Sequence, residues 1–251
     1  MNLQGKTAIV TGGARRLGRT MSLALAERGM NLVIHYGRSA EAVEEVLAEV
    51  RARGVQAVAV ACDFEQPAQA PRVMETALDR FGGCQVLVNN AAIFESGNVF
   101  DTDEANWDRH FAINLKAPFF LSQAFAKHVP PGEKGKIVNI TDWRAVRPGT
   151  GHVAYTLTKA ALGTLTQVLA QALAPRIAVN AVALGAILPP PGKDQAYLDR
   201  VAKSVPLRCS GSPEDVVAAV MFLLEGSDYV TGTTLLVDGG AHLGGIQEDG
   251  S

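Results

Sequence analysis

Seven short runs rich in Val, Ile, Leu and Ala punctuate this chain, at Thr7–Val10, Asn31–His35, Val55–Ala61, Gln85–Val88, Lys136–Ile140, Ile177–Val182 and Thr234–Val237. Most are continuous rather than alternating, which demands burial on both faces, as in a parallel sheet held between layers of helices. The intervening segments carry helical spacing and helical ends. Ser39 can cap a helix whose Val43, Val46, Leu47 and Val50 share a face, with Gly54 at its end. Pro67 opens another with Val73, Met74, Ala77 and Leu78 inward. Thr102, Asp103 and Glu104 start a third, which carries Trp107 and Phe111 and runs on, interrupted at Pro118, towards Lys127. A long helix is predicted from about Val153 to Pro175, and Ser212-Pro213-Glu214 begins a last one that ends near Gly226. Strands alternating with helices favour a doubly wound α/β sheet, whose working site lies at the carboxyl ends of the strands.

No repeat, low-complexity block or linker divides the chain, so residues 1–251 read as one domain. Its 23 basic and 25 acidic residues nearly cancel, so no bulk attraction to nucleic acid or anionic membrane is expected, and a small neutral or anionic substrate suits the balance better. The three cysteines, Cys62, Cys84 and Cys209, show neither metal-site nor disulfide spacing, which fits a reducing cytosol and predicts no metal. Met1 is followed almost at once by the strand-like run Lys6–Val10, leaving no room for a secretory signal, and no apolar stretch approaches the roughly 20 residues that span a bilayer. A cytoplasmic protein is expected.

After the first strand the chain reads Thr11-Gly12-Gly13-Ala14-Arg15-Arg16-Leu17-Gly18 and enters a helix whose Leu17, Met21, Ala24 and Leu25 can face the sheet. A pyrophosphate needs this arrangement, because glycines let the backbone approach it and the helix start offers unpaired N–H groups. Arg16 is either a surface residue or a phosphate ligand. Sites that take the unphosphorylated dinucleotide typically offer a carboxylate at the end of the second strand, but here the stretch is His35-Tyr36-Gly37-Arg38-Ser39. Arg16, Arg38 and Ser39 can instead surround a 2′-phosphate, which points to NADPH; the plainer alternative is a basic loop with a helix cap. Asp63 either accepts from the adenine amino group or serves only as a turn residue.

Tyr155 and Lys159 stand one helical turn apart and emerge on one face. A phenol near neutral pH is a poor acid and base unless a neighbouring ammonium favours its phenolate, so the pair suits proton transfer. Asn90 borders the expected cofactor site and Asn114 can position Lys159, although both can equally satisfy buried backbone groups.

These motifs, Thr11-Gly12 through Gly18, Asn89-Asn90-Ala91, Asn114, Tyr155 with Lys159, and Val237-Asp238-Gly239-Gly240, resemble the short-chain dehydrogenase/reductase family from Lys6 to about Gly240. The resemblance implies a single-domain Rossmann-like fold and transfer of a hydride between a nicotinamide and a carbonyl or imine carbon. Tyr155 then handles the proton, and Lys159 holds the nicotinamide ribose and lowers the Tyr pKa. It places Gly12, Arg16, Leu17, Gly18, His35, Tyr36, Arg38, Ser39, Asp63, Asn90, Ala91, Tyr155, Lys159, Gly185 and Ile187 around the cofactor. It also implies a homotetramer built through the helices containing Phe111 and Leu165, a substrate loop at about 184–212 and a polar tail at 241–251.

Where the family usually has Ser, 13 residues before the Tyr, this chain has Asp142. Ionised, it would oppose a phenolate; protonated, it could donate to substrate or to Tyr155; or it only ends the strand. Together with Arg16, the His35-Tyr36-x-Arg38-Ser39 run and the aromatic Phe94, this combination is similar to the pteridine reductase branch. A flat pterin could then stack on Phe94, and Phe94 could equally be packing. The chain departs from the family at Leu184, where Pro is common before Gly185, and its tail lacks the Arg that some pteridine reductases place near their C-terminus. Three readings follow: an NADPH-dependent pterin or dihydropterin reductase with Tyr155 and Asp142 in proton delivery, a general carbonyl or 3-oxoacyl reductase, and a catalytically silent NADP-binding protein.

Overall fold

The structure is a computed structural model, and it describes residues 1–244. The last part of the expected polar tail, from residue 245 on, lies outside the described residues. Seven parallel strands form one sheet in the order β3-β2-β1-β4-β5-β6-β7: β1 Thr7–Val10, β2 Asn31–Tyr36, β3 Ala57–Ala61, β4 Val86–Asn89, β5 Gly135–Asp142, β6 Ile177–Leu184 and β7 Thr234–Val237. The continuous apolar runs are buried throughout β1 and β4, as two-sided coverage requires. Edge strand β7 alternates between exposed and half-buried residues.

Helices α1 Arg16–Glu27, α2 Ala40–Arg51 and α8 Pro213–Glu225 cover one face, packing Met21, Leu25, Val46, Val50, Val216 and Val220 against the sheet. The other face carries α3 Pro71–Phe81, α4 Glu104–Phe111, α5 Ala117–His128 and α6 Val153–Leu173, with Met74, Ala77, Leu121 and Phe125 in the core. At α8 the expected start is seen in full, since Ser212 and Asp215 exchange side-chain and backbone hydrogen bonds in a capping box. Among the described residues no helix is long and apolar enough to cross a membrane.

Several local expectations are corrected. Ser39 precedes α2 but its side chain makes no capping bond, and Pro67 opens only a short 3₁₀ turn before α3 begins at Pro71. The break expected at Pro118 is absent: that proline lies in the first turn of α5, where a missing N–H is harmless, and the irregularity is a wide π-turn at Ala112–Lys116. Within the stretch 184–212, expected as a substrate loop, the chain forms a further helix, α7 Gln195–Ala202, whose start is capped by the Asp194 carboxylate.

The strand order reverses between β1 and β4, opening a crevice above their carboxyl ends. Strands β5 and β6 stay paired over eight residues, up to Asp142 opposite Leu184, and so deliver Asp142 to the rim of that crevice.

Candidate active site

At the reversal point the glycine turn is tied to three strand ends. The Thr11 hydroxyl accepts the N–H groups of Asn90 and Ala91, both at 2.9 Å, and the Asn90 amide donates to the Thr11 and Gly12 carbonyls at 2.8 and 3.3 Å. From β2, His35 Nδ1 accepts the Gly12 N–H at 3.2 Å, while its Nε2 meets the Cys62 carbonyl at 2.9 Å. Its ring stacks on Phe64 at 4.0 Å. Burial lowers the His35 pKa to about 4, so the ring is neutral near pH 7 and keeps one nitrogen as an acceptor. His35 therefore both holds the turn and lines the crevice.

A cavity of about 520 Å³ runs from this turn past Leu17, Tyr36, Arg38 and Ser39 to Asp63. Its floor suits a dinucleotide diphosphate. Gly12 has φ +62°, and a Cβ at Gly18 would stand 2.0 Å from the Gly12 carbonyl oxygen, so backbone and ligand can meet closely. No side chain caps the N-terminus of α1, which leaves its amide groups for an anion. Arg16 adopts a left-handed φ of +52° where the family often has glycine, and it donates to the Pro189 carbonyl at 2.6 Å. Arg38 faces Glu65 at 3.1 Å and Asp63 at 3.9 Å, while Asp63 accepts the Glu65 N–H at 3.0 Å in a turn of its own.

On the other side of the crevice, the Tyr155 hydroxyl donates to Asp142 Oδ2 at 3.0 Å. Lys159, buried below, donates to the Ile140 carbonyl at 2.8 Å and lies 5.6 Å from the Tyr155 ring centre. Asn114 sits in the wide turn between α4 and α5. It accepts the Ile93 N–H at 2.9 Å and donates to the Ile93 carbonyl at 3.1 Å and the Thr158 hydroxyl at 3.3 Å. It thus pins the loop before Phe94 and touches the neighbour of Lys159, not Lys159 itself.

One electrostatic expectation changes. Tyr155 is not pulled down by Lys159 in the bare chain: burial first, and then the Asp142 carboxylate, push its pKa well above the usual value of 10.0, and Arg144 alone opposes them. Burial lowers Lys159 to about 8, partly offset by Asp142. Asp142 meets the Tyr155 hydroxyl at 3.0 Å, accepts the Arg144 N–H at 2.8 Å and faces the Arg144 guanidinium at 3.2 Å.

Beside Tyr155 opens a second cavity of about 720 Å³, walled by Phe94, Asp142, Trp143, Gly185 and Tyr197. Phe94 stacks on His152 at 4.0 Å and meets the Tyr155 ring edge-on at 4.7 Å. The Arg144 guanidinium also lies over the Phe94 ring, 5.5 Å from its centre, so a flat ligand stacking on Phe94 would have to displace Arg144 or His152. Gly185 lies on this cavity, whereas Ile187 is buried beneath the loop on a smaller one of about 350 Å³ beside Asp238. Sequence reasoning missed Arg144, His152 and Tyr197. For Tyr197 the signal was the Asp194 cap three residues earlier; for Arg144 and His152 only the fold brings the partners together.

A family model described as enoyl-(acyl carrier protein) reductase matches residues 12–242. The chain is 35% identical to a short-chain type dehydrogenase/reductase of Picea abies, covering 95% of this chain and 93% of that one. To a 3-oxoacyl-[acyl-carrier-protein] reductase of Synechocystis sp. it is 33% identical, with 95% and 97% covered. Among solved structures it superposes on the FolM alternative dihydrofolate reductase 1 of Brucella canis, complexed with NADP, with a TM-score of 0.91, 36% identity and 99% of each chain covered.

Proposed function

Because this chain belongs to the short-chain dehydrogenase/reductase family, we propose that it is an NADPH-dependent reductase of a pterin or dihydropterin ring. One observation carries the choice of substrate: a carboxylate, not a hydroxyl, takes the hydrogen bond of the Tyr155 phenol in a cavity walled by Phe94. The likeness to an alternative dihydrofolate reductase supports it.

When bound, the nicotinamide supplies the hydride. The glycine turn and the start of α1 would hold the diphosphate, Arg38 and Ser39 the 2′-phosphate, and Lys159 the nicotinamide ribose. Asn90 and Ala91 border the same cavity. Tyr155, protonated at neutral pH by its raised pKa, gives its proton to the ring nitrogen beside the reduced carbon. Asp142 aims that hydroxyl, and Asn114 fixes the loop that presents Phe94.

The second reading, a carbonyl or 3-oxoacyl reductase, is favoured by the curated relatives and by Leu184 at the loop. NADPH oxidation with dihydrobiopterin, dihydrofolate and a 3-oxoacyl thioester separates the two. A kcat/KM at least about tenfold higher for a dihydropterin is expected; turnover of the thioester alone overturns the pterin reading.

We also place the protein in the cytoplasm as a homotetramer. Its three cysteines are free, and the outer side of α4–α6 exposes Trp107, Phe119 and Val168 around an apolar hollow of about 830 Å³ that includes Phe111 and Leu165. Sedimentation as a monomer at micromolar concentration would contradict the assembly.

A further inference from the structure

A carboxylate 3.0 Å from a phenol works against negative charge on the phenol oxygen once the proton has left. A serine in its place would not. The structure sets a second charge against the first. Arg144 lies in the 3₁₀ turn Trp143–Ala145 that follows β5, where Asp142 caps the turn by accepting the Arg144 N–H. Its Nη1 donates to both carboxylate oxygens, at 3.2 and 3.4 Å. The guanidinium carbon is 5.0 Å from the Trp143 ring centre and 5.5 Å from that of Phe94, so two aromatic walls confine the cation. The pair is largely shielded, with Asp142 10% and Arg144 25% exposed.

The other charged or titratable groups near Tyr155 are engaged elsewhere. Lys159 on α6 bonds the Ile140 carbonyl, and His110 on α4 bonds the Asn106 carbonyl with its ring 6.4 Å from that of Tyr155. His152 bonds the Glu95 carbonyl, and Glu95 pairs with Arg109. Arg16 and Arg147 line the same cavity but bond the Pro189 and Ala241 carbonyls. Among the described residues Arg144 is thus the cation in direct contact with the Asp142 carboxylate, while Lys159 acts on it only at longer range.

We propose that Arg144 is a positioning residue that neutralises Asp142, making it an oriented acceptor for the Tyr155 hydroxyl, so that a carboxylate can occupy the family's serine position without holding back the phenol's proton. The opposed influences on Tyr155 run the same way, Asp142 raising its pKa and Arg144 lowering it. The role does not depend on which substrate is reduced.

A double-mutant cycle tests it, run on whichever dihydropterin or ketone the enzyme turns over. Arg144→Gln should lower kcat about tenfold or more, move the alkaline limb of the pH profile upward by about one unit, and change NADPH affinity less than about threefold. Arg144→Lys should restore part of the rate. In an Asp142→Ser background, Arg144→Gln should cost less than about threefold and leave the limb where it is. Ultraviolet titration of tyrosinate in the NADP complex, taken as the difference from Tyr155→Phe, should show the same upward move without any turnover. An equal loss in the Asp142→Ser background, or a fixed limb and tyrosinate titration, overturns the proposal. If Arg144→Gln fails to fold, Arg144→Lys alone and in the Asp142→Ser background carries the same comparison.

Discussion

At the glycine turn, the contacts that set geometry end on main chain: His35 on the Gly12 N–H, Asn90 on the Thr11 and Gly12 carbonyls, Thr11 on two amides. Across the crevice the decisive contacts join side chain to side chain, from Tyr155 to Asp142 and from Asp142 to Arg144. A backbone-built region keeps its shape under many substitutions but tolerates no added bulk. A side-chain-built region can change its chemistry with one residue while the fold stays put, which suits a scaffold that hosts many reactions on one nucleotide cradle.

The largest expected effect is on the side-chain half. Tyr155→Phe should cut kcat/KM by about a thousandfold while NADPH affinity, read by fluorescence, stays within about threefold. Turnover within tenfold of the parent would break the comparison at its root.

The backbone half should reveal itself in acid. Folded His35 takes a proton only near pH 4, whereas the unfolded residue takes it near 6.5. Its contribution is fully present above pH 6.5 and is lost as pH falls through that window, about 3 kcal/mol in all. Urea unfolding at pH 7 and 4.5 should show this loss in the parent and a smaller one in His35→Gln. Identical losses would mean that the ring is not what holds the turn.

Next in size is bulk at the turn. Gly18→Ala places a Cβ 2.0 Å from a backbone oxygen and should weaken NADPH by about thirtyfold or more by calorimetry, whereas Gly37→Ala meets nothing within 4 Å and should change it less than about twofold. Equal effects would show that close approach is not the principle there. The smallest effect sharpens the boundary of the comparison: Arg38 is 82% exposed and shares its charge with Glu65, so Glu65→Gln should tighten NADPH about two- to fivefold and leave NADH unchanged. Tightening of both dinucleotides would place Glu65 outside the 2′-phosphate question.

The same division explains what could be read from the sequence. Unbroken apolar runs and the glycine turn are local signals, and they marked all seven strands and the crevice where the strand order reverses. Strands β5 and β6 outran their apolar stretches because ladder pairing continues through Thr141, Asp142 and Leu184, whatever the side chains there. Helix α7 escaped notice because only Leu198 and Ala202 of its eight residues are buried, too weak a stripe to stand out between prolines. Tyr155 and Lys159 were legible as a spacing within one helix. The Arg144 contact with Phe94 and the stacking of His152 join segments about fifty residues apart, and no local pattern encodes them.

The strand order has a consequence for biosynthesis. Starting from β1, the sheet grows to one side with β2 and β3, then from the opposite side of β1 with β4, β5, β6 and β7, so each strand leaving the ribosome finds its partner edge already made. The crevice beside the glycine turn closes when β4 arrives, well before α6 exists. The floor beneath the segment after β6 comes last, when β7 brings Asp238 against Gly185. A nascent chain halted before that point would expose the long open edge of β6, and this late stage is the most exposed to misassembly.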